Sequence, residues 1–233
     1  MLPRNFLSKK IAPPLPAAHT SQPLLSSDVG ERLDLFEVLA QNLVDKGYSV
    51  QTNALPNELS QLLWDKLQGM GPSDFHKAGI GRNRKDKVNQ LIRNDEISWI
   101  EETTMSGVAW LTWLTSLQAY LNERLFLGLF SFESHYSRYR KGDFYRKHHD
   151  AFLGDDNRKL SIIMYLNKDW LVKDGGELVL YPNEAADREL RVVPEFGTLV
   201  VFLSEDVLHE VLPPHCDRYS IAGWFGINSP VTV

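Results

Sequence analysis

The sequence predicts a mainly β fold, a β-sandwich or jelly roll of antiparallel strands buttressed by N-terminal α-helices, and three observations carry that prediction. Apolar residues at helical spacing are confined to the part of the chain before Leu129. From Leu129 onward, short runs rich in β-branched and aromatic residues alternate with turn signals. Several of these runs, notably Leu160 to Leu166 and Thr198 to Leu203, are apolar at both parities, so both faces of a sheet need cover and the helices are available to supply it.

The elements follow in order. The stretches KKIAPPLPAA and SQPLLSS contain prolines that forbid a stable helix and too little patterned apolar content for a strand, so residues 1–26 read as a tail. A secretion signal is the rival reading, but Pro13, Pro14 and Pro16 interrupt its apolar region. Asp28 with Glu31 resembles a helix-starting cap, and Leu33, Phe36, Val38, Leu39, Leu43 and Val44 then recur at helical steps until Gly47. A second helix starts at Pro56 and carries Leu59, Leu62, Leu63, Trp64 and Leu67 before GMGP. A third covers Gly107 to Leu125, its Trp110, Trp113 and Tyr120 falling at core spacing rather than as a ligand cage. The strands are then read from FSFESHYSRYR, KLSIIMYLN, GGELVLYP, ELRVV, GTLVVFL, HEVLP and RYSIAGWFGI, roughly seven or eight in all.

Composition narrows the functions open to such a fold. With 233 residues, 43% apolar and 24% charged, the chain has the make-up of one soluble domain with an appendage, and no apolar run nears the roughly 20 residues that cross a bilayer. The single cysteine, Cys216, excludes an intramolecular disulfide and a multi-thiolate metal site, and suits a reducing cytoplasm. A net charge of -5 argues against a nucleic-acid surface.

Imidazole and carboxylate are therefore the strong ligands left. In YRKGDFYRKHHDAF an extended chain puts His148 and Asp150 on one face and His149 on the other. His209 is the third candidate. Two imidazoles and one carboxylate on one side of a metal leave positions open, as in non-haem Fe(II) oxygenases, although zinc hydrolases share the set and the triad alone does not choose the metal. Folding LPPHC as a hairpin would put His209 opposite Ser220, with Arg218, Ser220, Ala222 and Trp224 on the same inward face and Arg218 about 7 Å along. An inward arginine there suits a short dicarboxylate that meets the metal at its other end. An arginine paired with a core acid accounts for the pattern equally.

His148-x-Asp150, a distant His209 and Arg218 nine residues later in R-x-S resemble the Fe(II)- and 2-oxoglutarate-dependent dioxygenases. Within them, YRKGDFYRKHHD, YLNKDW, GGELVLYP, HEVLP, RYSIAGWF and IRNDEISWIE resemble the prolyl 4-hydroxylase branch, of the hypoxia-inducible-factor type and its bacterial relatives, over Ile92 to Ile227. The resemblance implies a double-stranded β-helix (jelly roll), with one dioxygenase domain over residues 27–233, helical support over 27–127 and the jelly-roll core over 128–228. It implies iron ligands at His148, Asp150 and His209, and 2-oxoglutarate contacts at Arg218, Tyr165 and Tyr139. Tyr145 and Trp224 would line the substrate site; each tyrosine read alone is an ordinary sheet aromatic. The segment between Tyr139 and Tyr145 is one residue shorter than in the animal enzymes.

The implied reaction couples oxidative decarboxylation of 2-oxoglutarate, with Fe(II) and O2, to trans-4-hydroxylation of a prolyl residue, with ascorbate as a candidate reductant and oxygen sensing as a family role. HKAGIGRNRKDKVNQLIRND reads as a charged surface loop, and the resemblance makes it close over a protein substrate with Arg93 and Asp95 at its end. The bacterial relatives imply elongation factor Tu as that substrate. A dioxygenase of the same chemistry acting on a small molecule or another residue, and a non-catalytic metal-binding jelly roll, are the alternatives. Of the other histidines, His19, His76, His149 and His215 are read as surface or turn residues, while His135 shares the parity of Tyr139 and is left open as a pocket residue.

Overall fold

The computed structural model describes residues 26–78, 91–151, 157–182 and 189–227. The tail lies almost wholly outside them, as do Arg82, Arg84, Lys85 and Lys87 of the charged loop and His19.

Three helices form the support. Helix α1 (Ser26–Lys46) buries Phe36, Leu39, Ala40 and Leu43 and leaves Leu33, Val38 and Val44 exposed, a narrower apolar stripe than its composition suggests. Gly47 ends it at φ +76°, its N–H donating to the Leu43 carbonyl at 3.0 Å. Helix α2 (Asn57–Gln68) follows Pro56 and buries Leu59, Leu63 and Leu67. Helix α3 (Met105–Leu125) is capped by Thr104, whose side chain accepts from the Gly107 N–H at 3.0 Å, and its Trp110, Trp113, Leu114, Leu117 and Leu121 are core.

The strands make two antiparallel sheets. The large sheet comprises β1 (Tyr48–Gln51), β2 (His76–Lys77), β3 (Glu96–Trp99), β4 (Ser131–Tyr139), β6 (Arg158–Tyr165), β9 (Leu199–Leu203) and β11 (Arg218–Gly226), ordered β1-β9-β6-β11-β4-β3-β2. The small one comprises β5 (Tyr145–His148), β7 (Leu178–Tyr181), β8 (Leu190–Val192) and β10 (Leu208–Val211), ordered β5-β10-β7-β8. The double parity noted in the sequence is explained by this layering. Leu160, Ile162, Met164, Leu199, Val201 and Ile221 face the helices, while Tyr165, Val200 and Phe202 face Leu178, Leu180 and Val211 of the small sheet. Facing sheets of this kind, with helices on one side only, make the jelly roll.

Two expectations are corrected. Eleven strands occur among the described residues, because β1, β2 and β3 lie before Leu129, where the sequence reads as helices and connecting loops. The hairpin across LPPHC does not form: β10 pairs with β5 and β7, whereas β11 pairs with β4 and β6, so Ser220 faces Ser137 and Tyr165 rather than His209. Pro213 and Pro214 cannot donate to a ladder, and the segment Leu212 to Asp217 is long enough to bridge the roughly 10 Å between packed sheets. His209 and Arg218 thus reach the interior from opposite sheets.

Candidate metal centre

Pairing of β5 with β10 sets His148 directly opposite His209, and Asp150 follows β5 by two residues. The ligating atoms of these three side chains lie within 4.8 Å of one another. Each ring is oriented from behind: His148 Nδ1 meets the Arg146 carbonyl at 2.7 Å and His209 Nδ1 meets the Val207 carbonyl at 3.0 Å. A carbonyl only accepts, so both Nδ1 atoms carry the proton and both Nε2 lone pairs face the centre. His148 Nε2 is buried with no hydrogen-bond partner, and the closest approaches of the two Nε2 atoms to Asp150 are each 3.6 Å, beyond hydrogen-bonding range.

The electrostatics suit a cation. Burial works against a charged Asp150, but His209, His148 and Arg158 outweigh it and hold the carboxyl well below the usual range. Burial pushes His209 down to about 4, so its ring is neutral near pH 7. Ser161 donates its hydroxyl to Asp150 Oδ2 at 2.7 Å and lies 2.8 Å from Ser204 Oγ, steadying the carboxylate. Two imidazoles and one carboxylate, their ligating atoms within 4.8 Å of one another, fit a divalent ion. Sequence reasoning passed over Ser161, although its parity with Tyr165 in KLSIIMY puts it on the inward face.

One cavity is lined both by this cluster and by Arg218. Arg218 is 1% exposed. Its Nε donates to the Gly176 carbonyl at 2.8 Å, one terminal nitrogen reaches Ser220 Oγ at 3.5 Å, and the Tyr139 and Tyr165 rings each lie 4.9 Å from the guanidinium carbon. Among the described residues it has no acidic partner, so the core-acid explanation of its inward face does not hold there. The Tyr165 hydroxyl is likewise buried without a partner, and burial pushes its phenol up to about 12, leaving it a neutral donor. A buried cation beside an orphaned donor leaves room and need for an anion.

At the other end a stack runs from Arg93 over the Tyr145 ring, at 4.4 Å, to His148, whose ring centroid is 3.5 Å from that of Tyr145. Asp95 accepts from Arg93 Nε at 2.8 Å and Nη2 at 2.6 Å. Asp95 is 0% exposed and holds Arg93, and Arg93 lines the cavity. Trp224 also lines the cavity and carries Arg158 over its ring at 3.8 Å. His135, left open above, lies in the wall between Trp99 and Trp224, with Nδ1 3.0 Å from Ser137 Oγ; burial, then Arg93, push it down to about 4. His149 is half-buried and outside the ligand cluster, His76 is exposed in β2, and His215 is exposed beside the Lys173 carbonyl.

Comparison with known proteins agrees with this geometry. Residues 134–226, which span Tyr139 to Trp224 and so all three converging ligands and Arg218, match the 2OG-Fe(II) oxygenase superfamily. A Pseudomonas putida prolyl-4-hydroxylase structure is 35% identical with a TM-score of 0.74, covering 84% of this chain and 100% of that one. A Trichoplax adhaerens prolyl hydroxylase, solved with a hypoxia-inducible-factor peptide, is 26% identical with a TM-score of 0.75, over 89% of this chain and 96% of that one. Human Egl nine homolog 1 is 29% identical over 189 residues, 77% of this chain and 43% of that protein, so the chain spans less than half of that curated relative. Sharing a third of its residues with a bacterial enzyme whose full length it covers, and carrying the ligand cluster inside the matched region, the chain belongs to the 2OG-Fe(II) oxygenase superfamily.

Proposed function

We propose that this chain is a protein prolyl 4-hydroxylase using Fe(II), 2-oxoglutarate and O2. The observation that carries the co-substrate is Arg218, a buried cation with no acidic partner among the described residues, sharing one cavity with His148, Asp150 and His209. In this reading His148, Asp150 and His209 hold the iron, Arg218 and the Tyr165 hydroxyl grip the remote carboxylate of 2-oxoglutarate, and Tyr139 closes that end of the cavity. When bound, iron and its two co-substrates supply an oxidation that converts 2-oxoglutarate to succinate and CO2 and places one oxygen atom on the substrate.

The protein's own part is positional. Trp224, fixed under Arg158, offers an apolar aromatic surface to a prolyl ring beside the ligand cluster, and Tyr145, held between Arg93 and His148, borders the same cavity by its ring edge. Arg93, whose Nε and Nη2 are held by Asp95, offers its Nη1 hydrogens to a peptide carbonyl. The likeness to two prolyl hydroxylases, one of them holding a peptide, supports a protein as the substrate. Elongation factor Tu is the first candidate to test, with ascorbate as reductant. A cytoplasmic setting and an oxygen-sensing role belong to the same reading; the single cysteine, Cys216, suits the first.

The test is anaerobic loading with Fe(II) and 2-oxoglutarate followed by O2, with and without proline-containing peptides of elongation factor Tu. Peptide-dependent succinate release with a gain of one oxygen on proline is expected. Turnover stimulated only by a metabolite overturns the protein substrate, and intact iron binding with no turnover on any substrate overturns the enzyme.

A further inference from the structure

We propose that Trp170 is a positioning residue for the co-substrate anchor, acting on Arg218 through the Gly175–Gly176 backbone; the inference rests on the reading of Arg218 given above. Trp170 is 7% exposed and its indole N–H donates to the Gly175 carbonyl at 3.1 Å. One residue on, the Gly176 carbonyl accepts from Arg218 Nε at 2.8 Å. Since Arg218 has no acidic partner among the described residues, that carbonyl is the strongest contact fixing the tilt of its guanidinium.

Two consecutive glycines are a weak foundation for such a contact. Both take positive φ, +68° and +71°, a region glycine shares with many alternatives, so the peptide planes of the pair are free to turn unless something else fixes them. Side chains cannot replace them. A Cβ on Gly176 would lie 3.0 Å from Arg218 Cδ and from Pro214 Cβ, and one on Gly175 would lie 2.9 Å from the Pro213 carbonyl oxygen. The arginine stem therefore packs on bare backbone. The turn is held on one side by the β10–β11 connection, through the His215 N–H to the Asp174 carbonyl at 2.7 Å and the Leu212 N–H to the Glu177 carbonyl at 3.0 Å. On the other side the Trp170 indole locks the peptide preceding the one that grips Arg218. With Nε engaged in this way, the two terminal nitrogens are turned toward the cavity as a fork for a carboxylate.

The experiment compares two ligands on the full chain loaded with Mn(II), which binds without turnover. One is 2-oxoglutarate; the other is 2-oxopentanoate, which keeps the 2-oxo acid end and lacks the remote carboxylate. Calorimetric titration of Trp170→Phe, which keeps a ring and removes the N–H, is expected to weaken 2-oxoglutarate by about three- to tenfold while changing 2-oxopentanoate by less than about twofold. Replacement of Trp170 by 3-benzothienylalanine, an isostere without the donor, is expected to do the same and serves should the phenylalanine variant not fold. Equal weakening of both acids, or of neither, overturns the proposal. Arg218→Met separates the layers: if it abolishes the preference for the diacid while the Trp170 variants keep that preference, only the positioning role falls. If Arg218→Met leaves the preference intact, the anchor reading falls and the inference with it.

Discussion

Ser161 and Asp150 are joined by a 2.7 Å hydrogen bond that reaches from the large sheet to a residue two positions beyond β5 of the small one. The donor is itself buried and backed by Ser204, and it holds Oδ2, the oxygen nearer His209, leaving Oδ1 toward His148. Loss of such an outer partner commonly costs about 10- to 100-fold in metal affinity or activity. Ser161→Ala is expected to weaken Fe(II) binding by about tenfold with 2-oxoglutarate affinity of the metal-saturated protein unchanged. Competition against a chelator measures it; an unchanged iron affinity removes Ser161 from the proposed centre.

Arg218→Met tests the opposite end. Charge-assisted hydrogen bonds are worth about 1.5–3 kcal/mol each, so removing a two-pronged contact weakens 2-oxoglutarate by about a hundredfold or more. In the Mn(II) form, 2-oxoglutarate is expected to raise the Tm of the wild type by mass action and not that of the variant. A retained Tm shift in the variant means that the remote carboxylate binds elsewhere.

Acid stability follows from His135. Burial, with Arg93 nearby, lowers it from 6.5 to about 4, so the unfolded chain binds the extra proton between those values and stability falls as pH falls through that window. Above pH 6.5 neither state is protonated there and the contribution is flat. Between pH 7.5 and pH 5 this one ring accounts for about 2 kcal/mol of lost stability. His135→Phe is expected to lose correspondingly less over the same interval, as measured by urea unfolding at both pH values. An identical loss in the two proteins assigns the acid sensitivity to other groups.

These sites differ in how far the sequence reveals them. His148 and Asp150 are legible because two-residue alternation is a local property of an extended chain. Arg218 is legible as an inward residue for the same reason, but its relation to His209 is not, since alternation states which face a side chain takes and not which sheet its strand joins. The LPPHC turn therefore reads as a hairpin, while the folded chain carries it across the sandwich, and the two residues still converge because each faces inward from its own sheet. Strands β1 to β3 escape detection because they sit among the helices, away from the run of strand and turn signals after Leu129. Asp95 shows a further gap: the sequence places it beside Arg93, but only the packed structure shows that both its oxygens are consumed there.

That pairing gives the last prediction. Arg93 and Asp95 side chains are 11% and 0% exposed, so neither charge has water to fall back on. Asp95→Asn leaves Arg93 buried with half its partner, and breaking a buried pair from one side costs about 3–5 kcal/mol. The double variant Arg93→Gln with Asp95→Asn removes both charges and is expected to be the more stable of the two, a non-additivity readable from urea midpoints. Because Arg93 stacks on Tyr145 and Asp95 does not touch the cavity, both variants are expected to raise the KM for a prolyl peptide while leaving 2-oxoglutarate affinity within about twofold of wild type. If Asp95→Asn weakens the peptide while Arg93→Gln alone leaves it unaffected, Asp95 acts on the substrate by a route other than the arginine, and the stack from Arg93 to His148 is packing rather than a peptide-binding wall.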